Sequence, residues 1–206
     1  ALVSIGRKVV SQGLGLEKAG ISVSERGMVE VNERMETNVP GIYAIGDVTG
    51  KVMLAHVASH QGIVAAVNAT GSEALMHYEA VPAVIFTLPE IATVGLTLEQ
   101  ALEKGYLATA GKYPFQALGK SVAAMDTDGF ATVVIDKKTG QILGAQVVGH
   151  EASSLIAEMA LAIANELTVE CVADTIHAHP TLPEAWLEAA LVAVDMPIHF
   201  PPRIKK

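Results

Sequence analysis

Apolar positions along the chain follow two regimes. Up to about His77 they come in short runs broken by turn residues. Ile21–Val23 and Met28–Val31 are extended runs separated by Arg26-Gly27, a pattern that predicts a hairpin. Thr37-Asn38-Val39-Pro40-Gly41 is a turn cluster, and Ile42–Ile45 behind it reads as a buried strand ending in Gly46-Asp47. From Leu54 to Ala69 the period becomes helical, and Gly71 marks the stop. Ala55, Ala58, Gly62, Ala65 and Ala69 share one face of that helix, which suits close packing on a neighbour. The opening Ala1–Arg7 reads as a strand cut from something upstream. Strand, acidic end and helix together resemble half of a dinucleotide-binding α/β fold. No G-x-G-x-x-G follows any strand, so its phosphate-binding half is not in this sequence.

From Tyr78 onward strands come first and helices after. Val81–Thr87, Ile91–Val94, Tyr106–Tyr113, Phe130–Asp136 and Ile142–Val148 read as strands. Lys137-Lys138-Thr139-Gly140 joins the last two as a hairpin turn, with Gly where positive φ is expected. Thr97-Leu98-Glu99-Gln100 is a capping box opening a short helix that Gly105 ends. Helices are predicted over Glu151–Glu166, with Leu155, Met159, Ala162 and Ile163 as the apolar face, and over Val169–Asp174 and Pro183–Val194. This order predicts an α+β domain, an antiparallel sheet with helices on one face, over 78–206. It follows a part-domain of α/β type over 1–77. The tail from Pro197 to Lys206 reads as an extended arm.

Composition narrows the classes. The 206 residues suit one large or two small domains, at ~150 residues per domain. Half are hydrophobic, yet the longest stretch without Asp, Glu, Lys or Arg, Val52–Ser72, contains His56, Ser59, His60, Gln61 and Asn68. It reads as a soluble helix and not a span. No basic start followed by an apolar stretch marks a signal peptide. These features suggest the cytoplasm or, in a eukaryote, the mitochondrial matrix. The net charge of −8 argues against a nucleic-acid-binding surface. A single cysteine, Cys171, excludes a redox disulfide formed within the chain.

The densest chemistry lies in His177-Ala178-His179-Pro180-Thr181-Leu182-Pro183-Glu184. One reading makes Thr181 and Glu184 a capping box for a helix beginning at Leu182, with His179 a turn residue. The other has the Glu184 carboxylate orient His179, fixing its tautomer and raising the basicity of the other ring nitrogen, as in a proton-transfer pair. Cys171 falls in the apolar phase of its short helix and reads as a buried small hydrophobe, so a reaction partner for His179 would come from elsewhere. His56 and His60, spaced i, i+4, and His177 and His179 could chelate a metal, but no cysteine pair or H-E-x-x-H supports a site. His77, His150 and His199 read as loop or surface residues. Asp47 is either a turn residue or a hydroxyl-binding group at the end of a parallel strand.

Four motifs occur in order: Thr37-x5-Tyr43-Ala44-Ile45-Gly46-Asp47, Leu54-Ala55-His56, Pro89-Glu90-Ile91-Ala92-Thr93-Val94-Gly95, and His179-Pro180-Thr181-Leu182-Pro183-Glu184. Together they resemble the C-terminal part of the flavoprotein disulfide reductases, over essentially the whole chain. Leu54-Ala55-His56 and His177–Leu182 favour the branch that oxidises dihydrolipoamide. The resemblance implies that residues to about Val9 end an NAD domain. It makes the stretch to His77 part of an FAD region, and 78–206 the interface domain of a homodimer. It implies that Gly46 and Asp47 meet the FAD ribityl chain, and that Leu54 and Ala55 offer amides to the flavin N1–O2 edge. His179, oriented by Glu184, is then the acid–base catalyst, with a cis His179–Pro180 bond, serving the flavin and disulfide of the other subunit. NAD is the implied co-substrate and the lipoyl domains of 2-oxo acid dehydrogenase complexes the implied partners. Alone, the chain is expected to bind FAD weakly and to be inactive. Gly6-Arg7-Lys8-Val9-Val10-Ser11 departs from the family's Gly-Arg-x-Pro-Asn. A non-catalytic dimerisation module and a reductase of glutathione or another disulfide remain the alternatives.

Overall fold

A computed structural model describes residues 1–201. The chain divides into two compact units, Ala1–Tyr78 and the residues from Glu79 onward.

The first unit is built mostly of turns around one helix, α1 (Ala55–Ala69). The expected hairpin contracts to a single antiparallel bridge, Val23 with Val29, closed by the Ser24 amide donating to Met28 O at 2.9 Å. Ile42–Ile45 is not a buried strand: only Tyr43 pairs, with Glu36, and Ile45 is 42% exposed. Ala1–Arg7 likewise forms no strand, and Leu2, Val3 and Ile5 are exposed. A buried parallel strand requires ladder neighbours; beside Ile42–Ile45 lies only the short antiparallel segment Met35–Thr37, whose Thr37 amide donates to Ile42 O at 2.8 Å, and no bridge is formed by Ala1–Arg7 among the described residues. α1 runs as expected, but its packed stripe is Val57, Gln61, Val64 and Ala65. The small-residue face is rotated partly outward, with Ala58 and Gly62 half-buried and Ala55 and Ala69 exposed.

The second unit has a five-stranded antiparallel sheet in the order β1-β2-β5-β4-β3. The strands are β1 (Ala83–Ile85), β2 (Glu90–Gly95), β3 (Ala108–Pro114), β4 (Phe130–Asp136) and β5 (Ile142–Gly149). β4 and β5 form the expected hairpin, with Gly140 at φ 75° supplying the left-handed turn residue. α4 (Ala152–Ala164) packs on β2 and β5, and α6 (Glu184–Ala193) on β3 and β4. Between sheet and helices lies the main core, with Val133, Ile135, Val147, Met159 and Trp186 buried. The Trp186 indole N–H donates to Leu155 O at 3.0 Å, tying α6 to α4.

α2 (Leu98–Glu103) opens with the predicted capping box, the Gln100 amide donating to Thr97 Oγ1 and the Thr97 amide to Gln100 Oε1. It lies over the opposite sheet face, where Ala101 packs with Val134 and Leu143. Helices therefore cover one face fully and the other in part, because side chains at successive strand positions alternate and Val134 is apolar too. A short helix, α3 (Gly119–Ala124), was not expected; it has no side-chain cap to announce it. In α5 (Val169–Asp174) the buried positions are Val169 and Val172, and Cys171 is exposed, contrary to the buried reading. Its thiol lies 3.6 Å from Thr168 Oγ1. Of the expected arm, Pro197–Pro201 is described and 202–206 lie outside the described residues.

Candidate active site

α6 begins after a segment stiffened by Pro180 and Pro183, and Pro183 precedes the first helical residue, where a fixed φ near −60° costs nothing. Glu184 therefore sits in the first turn, beside the positive end of the helix. Its two oxygens take different partners. Oε2 accepts the Thr181 amide at 2.7 Å, and Oε1 stands 2.8 Å from His179 Nδ1. The reciprocal half of a capping box is not made: the Thr181 hydroxyl donates instead to Ala178 O at 2.6 Å. So the capping and the orienting readings hold together. An ionised carboxylate only accepts, so Nδ1 carries the proton and Nε2 presents its lone pair. The His179 side chain is 75% exposed and Glu184 only 16%. Burial pushes the Glu184 carboxyl up, but the Thr181 amide and the His179 contact outweigh it and hold the group below the usual carboxylate range. The His179–Pro180 bond is cis.

The other histidines do not gather. His177 points inward, its Nε2 3.0 Å from Glu158 Oε1. His56 and His60 lie exposed on α1. Among the described residues no cluster of three or more His, Cys, Asp or Glu has a metal-binding arrangement. His199 is more than a surface residue, since it engages the buried carboxylate of Glu188.

In the first unit Gly46-Asp47 opens a 3-10 turn, Gly46–Thr49. Gln61, fully buried on α1, holds it: its Oε1 accepts the Gly46 amide at 2.6 Å and its Nε2 donates to Tyr78 Oη at 2.9 Å. Sequence reasoning missed Gln61, although a polar residue in phase with Val57 and Val64 was the available signal. The Asp47 carboxylate accepts from Arg7 Nη1 at 2.8 Å, and the second Arg7 nitrogen donates to Met53 O. Leu54, the N-cap of α1, has extended dihedrals and no polar side chain to cap the first turn. Its own amide donates to Val52 O at 3.0 Å. A helix N-terminus capped by no side chain can receive an electronegative group, and Asp47 can accept from hydroxyls. Acceptors for hydroxyls and helix-end amides are the groups that the sugar and ring edge of a flavin would need, but the Leu54 amide is already given to Val52 O and Asp47 Oδ2 already accepts from Arg7.

Comparison with known proteins adds the family. The family model described as pyridine nucleotide-disulphide oxidoreductase, dimerisation domain, matches residues 81–190, more than half the chain. A second, described as pyridine nucleotide-disulphide oxidoreductase, matches residues 1–62. The chain is 55% identical to dihydrolipoyl dehydrogenase of Chlamydia pneumoniae over 98% of its own length and 44% of that protein. It is 48% identical to dihydrolipoyl dehydrogenase of Geobacillus stearothermophilus, covering 97% of this chain and 42% of the relative. Among solved structures, LpdA from Mycobacterium tuberculosis matches with a TM-score of 0.86 at 34% identity, over 91% of this chain and 41% of that one. The chain thus spans less than half the length of these relatives. The matches agree with the family read from the four ordered motifs.

Proposed function

Since the chain belongs to the pyridine nucleotide-disulphide oxidoreductase family, we propose that it supplies the acid–base pair and the dimer interface of an NAD-dependent dihydrolipoyl dehydrogenase. The observation that carries this reading is the His179–Glu184 contact at 2.8 Å with the imidazole exposed.

The chemistry requires such a base. A thiol of ordinary pKa ≈ 8.5 is only about 3% thiolate at pH 7, and the thiolate is what attacks a disulfide. His179 Nε2 takes the proton of a dihydrolipoamide thiol as its sulfur attacks, while Glu184 stabilises the imidazolium and keeps the proton on Nδ1. The proton is returned when a thiol leaves. Cys171 is the chain's single cysteine, so the redox disulfide lies in the portion of the relatives that this chain does not span. Asp47, beside its Arg7 contact, would hold hydroxyls of an FAD, and the α1 N-terminus would meet its ring edge at Ala55, since the expected Leu54 amide is already given to Val52 O. An FAD held there would supply the two-electron chemistry that links the dithiol to NAD. The chain by itself is catalytically incomplete. Residues 78–206 would form the homodimer contact, and lipoyl domains of 2-oxo acid dehydrogenase complexes would be the substrates' carriers.

The test uses His179→Gln in the full-length flavoprotein. Dihydrolipoamide oxidation should fall by roughly 10²–10⁴-fold, the usual share of general acid–base catalysis. The melting temperature should not move, because the ring is mostly solvent-exposed. Equal losses of turnover and stability would mark the segment as a helix cap within a dimerisation module.

A further inference from the structure

Between α5 and α6, residues 175–180 belong to no helix or strand, and His179 stands near the end of this segment. Thr175, Ile176, Ala178, His179 and Pro180 are all exposed. His177 is the exception, its side chain only 5% exposed. That ring is fixed at both nitrogens. Nδ1 stands 2.9 Å from Thr175 O, and because a carbonyl only accepts, Nδ1 donates. Nε2 shares a proton with Glu158 Oε1 of α4 at 3.0 Å. The acid–base reading uses neither contact.

From His177 the contacts run on to His179. The carbonyl of Ala178, the next residue, accepts the Thr181 hydroxyl at 2.6 Å. The Thr181 amide donates to Glu184 Oε2 at 2.7 Å, and Glu184 Oε1 meets His179 Nδ1 at 2.8 Å. The proton-transfer pair therefore has two moorings, one in the first turn of α6 through Glu184 and one on α4 through His177. Packing adds little to the second. A cleft of about 510 Å³ is lined by Leu155 and Glu158 of α4 and by residues 180–183, so this stretch does not lie flat on the helix. An apolar side chain at 177 would fill space there. Two directional bonds from one ring fix both its depth and its orientation.

We propose that His177, held by Glu158, is a positioning residue for proton transfer, setting where the His179 imidazole stands against the reacting thiol. This deepens the acid–base reading of His179 and rests on it. A proton passes only between heavy atoms within about 2.6–3.2 Å, and the His179 ring is too exposed for its surroundings to place it. A misplacement of about 1 Å costs on the order of 10²-fold in rate. Releasing the segment from α4 should therefore lower kcat by roughly 10- to 100-fold.

The experiment compares two activities of the full-length flavoprotein and its variants. Dihydrolipoamide oxidation moves a thiol proton, and ferricyanide reduction by NADH moves none. His177→Phe keeps a buried ring and removes both bonds. Glu158→Leu, at a side chain 35% exposed, removes one of them. In both variants kcat for dihydrolipoamide should fall, by roughly 10- to 100-fold in His177→Phe and by less in Glu158→Leu, while ferricyanide turnover holds at the parent value. A merely structural role would lower the two activities together. Glu158→Gln can still bond Nε2 and should restore most of kcat. Should His177→Phe not fold, the two Glu158 variants decide. Equal losses in both activities, an unchanged kcat for dihydrolipoamide, or a Glu158→Gln as slow as Glu158→Leu overturns the inference. With an inactive His179→Gln, the acid–base reading then stands; an active His179→Gln overturns both.

Discussion

Everything proposed for α6 depends on how closely that helix lies on the sheet, and the closest approach is at Gly111. A Cβ added there would sit 2.9 Å from Ala193 Cα and nearer still to Ala189 O and Ala193 N. All three are backbone atoms, which no rotamer change can clear. Carbon contacts relax at about 3.5–4.0 Å, so Gly111→Ala forces α6 away from β3 by roughly 1 Å. A gap of that size forfeits about a quarter to a half of each contact along the interface, which here includes Ala185, Trp186, Ala189 and Ala190. Overpacking of this kind costs ~1–3 kcal/mol, and a backbone-on-backbone clash belongs at the upper end. The better strand propensity of Ala returns ~0.5–1 kcal/mol. The expected net loss is about 2–2.5 kcal/mol, or near 10 °C in melting temperature for a unit of this size. Trp186 is the chain's single tryptophan and is fully buried on α6. Urea unfolding followed by its fluorescence therefore reports on this helix directly. A loss below ~1 kcal/mol, with unchanged turnover of the full-length flavoprotein, would show slack between helix and sheet and refute the reasoning.

Two further consequences follow from side chains already described. Trp186→Phe removes the bond to Leu155 O and leaves a small void; urea unfolding followed by far-UV circular dichroism should show a loss of about 2 kcal/mol. The folded-state pKa of Glu184 is depressed, so its contribution to stability is present above the ordinary value of 4.5 and is lost as pH falls through the folded value. Denaturation midpoints of the parent and Glu184→Gln should therefore differ at pH 7 and converge toward pH 3, whereas a constant gap would contradict the linkage.

Legibility in the sequence followed how local the cause was. The Thr97 capping box, the Gly140 turn and the β4–β5 hairpin rest on contacts within a few residues, and each appears where expected. Ile42–Ile45 and Ala1–Arg7 carry strand composition, but a strand is completed by neighbours, and composition does not supply them. Cys171 was misread because α5 has six residues, under two turns, too short to fix a helical phase. Gln61 and Glu188 are polar residues set in apolar stripes, a signal visible in the sequence. Their partners are 15 and 11 residues away, beyond the reach of periodicity. His199 reads as a surface residue for the same reason: its exposure is real, but the carboxylate beneath it is not announced nearby.

The rival readings of His179-Pro180-Thr181-x-x-Glu184 treated capping and orientation as alternatives, and a carboxylate has two oxygens. The Thr181 amide holds Oε2, and that bond fixes the rotamer in which Oε1 faces His179. The cap is therefore the device that makes the pair, and it requires only an acceptor. The pair requires more. A glutamine could still accept the Thr181 amide, but its NH₂ would then face Nδ1 as a donor. The imidazole would have to accept at Nδ1 and carry its proton on Nε2, leaving no lone pair outward to receive a thiol proton. What would separate a proton-transferring first turn from an ordinary one is the second oxygen and its charge, and neither the spacing nor the cap can tell them apart.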